Sequence, residues 1–174
     1  MALNDNWSLW LHLPYDTDWS INSYKKVATV TTLEDAIILT ENLNDDIIEK
    51  CMLFFMKNGI KPIWEDEKNK SGGCISYKVT TDKVIKVWKS LVYALAANYL
   101  AVDVSNEIFC GISISPKKNF SIIKLWLNTI ESFNKDYDLS RDIEIPDPFH
   151  IDVLCKFEDE EKYMCILKKH NFLY

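Results

Sequence analysis

Residues 59–73 form a polar segment between two apolar runs, and this arrangement constrains the fold most strongly. Residues 51–56 and 74–80 are the apolar runs, and Gly59, Pro62 and a final Gly pair punctuate the segment between them. Glycine and proline at such spacing are typical of a loop. Two short apolar runs on either side of a loop predict two β-strands, which we expect to pair antiparallel.

The loop carries Trp64 followed directly by Glu65. An exposed indole can stack on a planar, electron-poor ring while the adjacent carboxylate accepts N–H donors from the edge of that ring. Guanine presents such donors at N1 and N2, and methylation at N7 makes the ring cationic, which strengthens stacking on an indole. The alternative is a tryptophan packed under a hairpin beside a solvated acidic turn.

Length and composition indicate one folded domain over residues 1–174, because 48% of the residues are apolar. We see neither a secretory signal nor an apolar run of the roughly 20 residues that a membrane span needs. The formal net charge of −6 argues against a general nucleic-acid binder, which usually has a basic face. Recognition of one nucleotide end needs only a local positive cluster.

An odd number of cysteines within apolar runs favours reduced thiols and a cytoplasmic or nuclear location. They are Cys51, Cys74, Cys110, Cys155 and Cys165. The three histidines show no metal-ligand spacing, so we expect no metal and no cofactor. They are His12, His150 and His170.

Local patterns predict the remaining elements. Alternation predicts strands at 6–13 and 24–31, and Thr32 with Asp35 resembles a capping box that starts a helix to about residue 43. Residues 46–49 are interpreted as a connector. Asp82 is predicted to cap the clearest helix, with an apolar stripe at helical spacing. That stripe consists of Val84, Val87, Trp88, Leu91, Leu95 and Tyr99.

Residues 107–115 and 120–128 are predicted to form a hairpin through residues 116–119, and strands are expected at 151–157 and 163–167 after a short helix within 129–142. This order indicates an α+β fold, a mostly antiparallel sheet with helices on one face.

The sequence Pro-Ile-Trp-Glu-Asp-Glu-Lys-Asn-Lys-Ser-Gly-Gly at residues 62–73 closely resembles the signature of the cap-binding translation initiation factor 4E family. The resemblance extends from Trp7 to Trp126, and all six tryptophans fall on family positions. It implies a curved sheet with helices on its convex back and a ligand slot on its concave front. It also implies that Trp19 and Trp64 stack on the cap base, Glu65 binds the guanine edge, and Trp126 lines the pocket for the methyl group.

The phosphate-binding residues depart from the family pattern. Lys117 occupies the position of a family arginine, Asn119 and Ile122 replace family lysines, and Lys118 is adjacent. The resemblance therefore implies a clamp of Lys117 and Lys118 that makes point-charge contacts. The alternative is an ordinary solvated hairpin tip. Lys168 and Lys169 are candidates to supplement the clamp.

The partner surface also departs from the family. Ile37 stands where the family has a tryptophan that anchors the helical peptide of scaffold partners, and Lys89 and Ser90 replace an apolar and an acidic contact. With Leu33, these residues form a divergent surface for a scaffold initiation factor 4G-like protein. We expect weak binding of the usual peptide, or a different partner. The alternative is that Ile37 packs into the core.

The resulting hypothesis is a monomeric, non-enzymatic module that binds the 7-methylguanosine cap of mRNA in translation initiation. A second hypothesis is a cap-binding repressor or decoy without productive scaffold contact. A third is a nucleotide hydrolase that uses Asp66 and Glu67 as its carboxylates.

Overall fold

The computed structural model describes residues 2–101, 105–129 and 150–156. The expected helix within 129–142, the expected strand at 163–167, and Lys168 and Lys169 lie outside the described residues, apart from residue 129 itself.

Seven strands form one sheet, and every pair of neighbouring strands is antiparallel. The order across the sheet is β2-β1-β3-β5-β6-β4-β7. Two short 3-10 helices, Ile21–Ser23 and Asn106–Ile108, lie in connections. The elements are β1 (Ala2–His12), β2 (Lys25–Thr32), α1 (Leu33–Glu41), α2 (Asp45–Lys50), β3 (Met52–Lys57), α3 (Glu67–Lys70), β4 (Gly73–Thr80), α4 (Thr81–Ala96), β5 (Phe109–Pro116), β6 (Phe120–Leu127) and β7 (His150–Lys156).

The main core lies between the sheet and helices α1, α2 and α4, which confirms the α+β class. Alternate residues of a strand point to opposite faces, so Trp7 and Leu9 of β1 enter this core while Ser8 and Trp10 face the other way. Trp7 stacks on Phe55 of β3, with ring centroids 5.2 Å apart. The buried stripe of α4 packs on the same face of the sheet.

A second, smaller cluster occupies the opposite face, which we call the front face. Its buried members are Phe54, Met56, Cys110 and Trp126, and Trp10, Tyr24, Met52 and Ile60 pack against them. Helices α1, α2 and α4 therefore pack on the other face of the curved sheet, and loops border the front face.

The predicted pairing of the two apolar runs around residues 59–73 is wrong. Strand β3 pairs with β1 and β5, whereas β4 pairs with β6 and β7, so the β5–β6 hairpin lies between β3 and β4. The loop between β3 and β4 is long enough to span the two strands of that hairpin. The prediction failed because a local sequence pattern does not specify which strands become neighbours.

Several helix boundaries also differ from the predictions. Residues 45–50 form α2, because Asn44 caps Asp46 N–H at 2.8 Å and Ile48 supplies a buried side chain. Thr80, and not Asp82, is the N-cap residue of α4; Tyr99 lies beyond that helix and is exposed. Helix α1 ends at Glu41, but its predicted cap is confirmed, since Thr32 Oγ1 accepts from Asp35 N–H at 3.1 Å.

The predicted β5–β6 hairpin is confirmed, and Lys117 N–H donates to the Phe120 carbonyl at 2.8 Å to close it. Cys74 and Cys110 are buried free thiols, and Cys51 is a half-buried one. In the part of the chain that the structure describes, no helix combines the length and apolar character needed to cross a membrane.

Candidate functional site

Exposure divides the tryptophans into two groups. Trp7 and Trp88 are almost completely buried in the main core. Trp19 and Trp64 are 54% and 43% exposed, although large aromatic side chains usually lose most of their surface on folding. Both exposed indoles lie on loops, at residues 13–24 and 58–72, so neither is required to fill the core.

His12 holds Trp19 in the first loop. The buried His12 ring stacks on the indole of Trp19, with centroids 4.3 Å apart and planes 4° from parallel. His12 Nε2 lies 2.9 Å from the carbonyl oxygen of Asp18 and donates to it. Asp18 in turn accepts from the N–H and the hydroxyl of Ser20, and these bonds lower the pKa of its carboxyl group. One face of Trp19 is thus covered by a fixed ring.

Asp66 and Asn69 hold the second loop. The carboxylate of Asp66 accepts from Lys61 N–H and Lys68 N–H, both at 3.0 Å, and so caps α3. Buried Asn69 donates through Nδ2 to the carbonyls of Lys61 and Ile63 at 2.9 and 2.8 Å. These bonds fix the backbone on both sides of Trp64 and Glu65, which are exposed.

The thiol of Cys110 ties α3 to the sheet. It lies 3.7 Å from the carbonyl oxygen of Lys68, and burial raises its pKa to about 12. The thiol therefore keeps its proton and donates a weak hydrogen bond at neutral pH.

Tyr24 follows the Trp19 loop and packs against the front-face cluster. Burial, with smaller contributions from the negative charges of Glu65 and Asp18, raises the pKa of its hydroxyl to about 12. A carboxylate from each loop therefore lies close enough to act on one phenol. Tyr24, next to the first loop, and Ile60, in the second, also pack against the same front-face cluster, so the two loops border the same part of the front face.

Aromatic rings continue from this point across the front face. Tyr24 contacts Phe54 edge-on at 5.3 Å between centroids, and Phe54 contacts Trp126 in the same way at 6.3 Å. Trp126 is 6% exposed, and its Nε1 donates to Ser113 Oγ at 2.9 Å. The floor of the candidate site is therefore aromatic, with Trp126 fixed by neighbours on β3 and β5.

Lysines border this floor on β6 and its hairpin. Lys117 and Lys118 are exposed near the hairpin turn. Burial lowers the pKa of Lys117, and the positive charge of Lys124 lowers it further. Sequence reasoning missed Lys124, although one signal was available: it is two residues from Trp126 on the same strand, and therefore on the same face.

The predicted partner surface is separate from the site, on α1 and α4. Ile37 is 40% exposed and outside the core, so its predicted alternative role as a core residue is wrong. Leu33 and Ser90 are half-buried. Lys89 Nζ lies 2.8 Å from Glu41 Oε2, and the Tyr93 hydroxyl donates to Glu41 Oε1. This cluster makes the surface polar beside α1.

The acidic pair at the loop offers little for hydrolysis. Asp66 uses both carboxylate oxygens to accept backbone N–H groups, which leaves Glu67 as the other member of the proposed pair. Among the described residues no group of three or more His, Cys, Asp or Glu side chains is arranged to hold a metal ion.

Comparisons with known proteins agree with this fold. The family model described as eukaryotic initiation factor 4E matches residues 2–162. The Xenopus laevis eukaryotic translation initiation factor 4E is 27% identical over 143 residues, which cover 77% of this chain and 64% of that protein. A homologue from Acanthamoeba polyphaga mimivirus is 24% identical over 137 residues, covering 66% of this chain and 50% of the homologue. The match thus spans less than two thirds of these relatives.

Among solved structures, schistosome eukaryotic initiation factor 4E complexed with m7GpppA and 4E-BP has a TM-score of 0.66 and 30% identity. The alignment covers 75% of this chain and 73% of that chain. The family model covers most of the sequence, and the strand order and helices are compatible with it. The chain belongs to the eukaryotic initiation factor 4E family.

Proposed function

We propose that this protein binds the 7-methylguanosine cap of mRNA and acts in translation initiation. The observation that carries the proposal is that two tryptophans remain exposed on loops bordering the same front-face cluster, with Glu65 next to one of them. In this proposal Trp19 and Trp64 stack on the methylated base, Glu65 accepts from guanine N1 and N2, and Trp126 borders the methyl group. The schistosome relative, solved with m7GpppA, supports the same ligand class.

Approximate energies are consistent with this ligand. Each indole over a desolvated cationic base contributes about 2 kcal/mol. Hydrogen bonds to the Glu65 carboxylate contribute about 1.5–3 kcal/mol. Micromolar binding requires about −8 kcal/mol net, so base contacts alone are insufficient once ordering costs are subtracted. Phosphate contacts, for which Lys117 and Lys118 are the first candidates, are therefore part of the proposal.

The direct test is fluorescence titration with 7-methylguanosine triphosphate and with unmethylated guanosine triphosphate. The methylated ligand should quench tryptophan emission at lower concentration, because only its ring is cationic. Trp19→Ala and Trp64→Ala should each weaken binding by about 30-fold, equivalent to about 2 kcal/mol. Tyr15→Ala is the matched control, since Tyr15 is an exposed aromatic residue in the same loop as Trp19. Equal affinity for both nucleotides would refute cap recognition.

Glu65→Gln tests the edge contact separately. The amide replaces one of the two acceptor oxygens with an NH2 donor, which would face an N–H of guanine, so binding of the methylated nucleotide should fall by at least tenfold. Glu67→Gln is the control, because Glu67 is an exposed acid of the same segment. A loss in the control as large as that in the Glu65 variant would indicate a general charge effect.

We further propose that the protein is a binding module and not an enzyme, and that it works as a cytoplasmic monomer. Incubating cap analogue with protein and Mg²⁺ should return the analogue intact; release of hydrolysis products would favour the hydrolase alternative. A cap-dependent translation assay separates an initiation factor, which rescues depleted extract, from a repressor, which inhibits it.

A further inference from the structure

Lys124 lies on the front face next to the proposed base pocket. It is opposite Ser113 of β5 and Ser76 of β4 in the ladders, two rows from the pairs that contain Trp126. Residues two apart on a strand project from the same face about 6.6 Å apart. The half-buried Lys124 is therefore the neighbour of Trp126 on this face of β6, and Trp126 borders the proposed methyl pocket.

Ile122 occupies the next front-face position along β6. In the family, by the resemblance above, that position is a phosphate-binding lysine. Lys78 lies opposite Ile122 on β4, and its Nζ is 4.4 Å from the centroid of Phe120. Ile122 itself is thus flanked by cationic side chains of this chain: Lys124 on its own strand and Lys78 on the next.

Lys117 lies four residues beyond Ser113, the ladder partner of Lys124, and so continues the same face of β5 into the hairpin turn. Its pKa is lowered first by burial and then by the charge of Lys124, so the two ammonium groups act on each other. Two like charges held near one another repel, and an anion between them converts that repulsion into attraction. A phosphate group is the anion that a capped 5′ end would bring to this place.

We propose that Lys124 and Lys117 together bind the phosphate chain of the cap, and that Lys124 supplies the charge missing at Ile122. The inference rests on the proposed cap-binding function and revises its phosphate clamp: Lys124 contributes more than Lys118. Lys117 and Lys118 are both exposed at the hairpin turn, so solvent screens their charges and their long side chains lose freedom on binding. Lys124 is half-buried within a strand, where its stem is already confined.

The test compares two ligands that share the base. Wild-type protein and the variants Lys124→Ala, Lys117→Ala, Lys118→Ala and Lys83→Ala are titrated with 7-methylguanosine triphosphate and with 7-methylguanosine nucleoside. Lys124→Ala should weaken triphosphate binding by tenfold or more, the size of a lost charge-assisted contact. It should change nucleoside binding less than twofold. Lys83→Ala, on the exposed surface of α4, is the control for loss of one positive charge.

A loss for Lys118→Ala greater than that for Lys124→Ala would overturn the inference, as would equal losses of both ligands in Lys124→Ala. Thermal melting of each variant separates weak binding from unfolding. The double variant Lys124→Ala/Ile122→Lys returns a lysine to the family position and should recover most of the triphosphate affinity. If wild-type protein binds neither ligand, the proposed cap-binding function fails. A larger loss for Lys118→Ala than for Lys124→Ala would overturn only the inference about Lys124.

Discussion

At the scale of single residues, His12 connects the sheet to the loop that carries Trp19. Its ring stacks on Trp19 and also contacts Tyr24 at a tilt, with centroids 4.3 and 4.8 Å away. The Asp18 carbonyl can only accept, so the hydrogen bond identifies Nε2 as a protonated nitrogen. Histidine thus combines a stacking surface with a hydrogen bond to the loop that carries Trp19.

Substitution of His12 should separate these two contributions. His12→Phe keeps the stack but leaves the Asp18 carbonyl without its donor, whereas His12→Ala loses both. An aromatic pair is worth about 0.5–1.5 kcal/mol and a hydrogen bond about 1 kcal/mol. We expect affinity for 7-methylguanosine triphosphate to decrease in the order wild type, His12→Phe, His12→Ala, measured by fluorescence titration. Identical affinities in all three proteins would show that the stack does not position Trp19.

At the scale of elements, the Trp64 loop depends on close approach to the end of β6. A Cβ atom at Gly72 would lie 1.7 Å from the carbonyl oxygen of Leu127, which is backbone and cannot move aside cheaply. Gly72 N–H also donates to the Asn69 carbonyl at 2.9 Å. A glycine is therefore required at residue 72, where the chain enters β4.

Gly72→Ala should consequently destabilise the protein by more than about 2 kcal/mol, because the loop must separate from β6. Chemical denaturation measures the change in the free energy of unfolding. Ser71→Ala, at the exposed neighbouring position, should stay within about 0.5 kcal/mol of wild type. A Gly72→Ala protein as stable as wild type would mean that the contact with Leu127 is easily relieved.

Helices α1 and α4 lead to a prediction about partners. The schistosome relative was solved with 4E-BP, and we propose that this chain meets a scaffold initiation factor 4G-like partner only weakly through its divergent surface. Lys89 is held by Glu41, and Ile37 offers less contact area than a tryptophan. The usual scaffold helix would therefore displace an ion pair without gaining an aromatic anchor.

Isothermal titration with a consensus scaffold peptide should accordingly give a Kd weaker than micromolar for wild type. The double variant Ile37→Trp/Lys89→Leu should bind at least tenfold more tightly, since it adds the anchor and removes the charge. Lys83→Leu is the control for a general increase in apolar surface. Nanomolar binding by the wild-type protein would contradict the prediction.

At the scale of the whole molecule, ligand binding should stabilise the fold, because the proposed site is assembled from two distant loops and three strands. A ligand at 100 times its Kd adds about 2.7 kcal/mol to the free energy of unfolding. For a chain of this length that corresponds to a rise in Tm of about 5–10 °C. Thermal melting with 7-methylguanosine triphosphate should show this rise. Unmethylated guanosine triphosphate at the same concentration should have little effect, and equal shifts would contradict cap selectivity.

Much of this protein is determined locally by its sequence. Alternation placed Trp7 and Leu9 in a strand, Thr32 and Asp35 started α1 as predicted, and the β5–β6 hairpin follows from two apolar runs around a turn. The segment at residues 62–73 also identified the family, because an ordered run of twelve residues rarely occurs by chance. These features depend on neighbours within a few positions.

Only the tertiary structure decided which distant segments meet. The hairpin lies between β3 and β4, His12 stacks on Trp19, and Lys117, Lys124 and Trp126 share the front face. The physical reason is that strand order and register are set when whole faces of the sheet are buried together, and no local periodicity encodes that choice. The sequence alone therefore identified the family and the residues of the proposed cap-binding site, and the fold determined their neighbours.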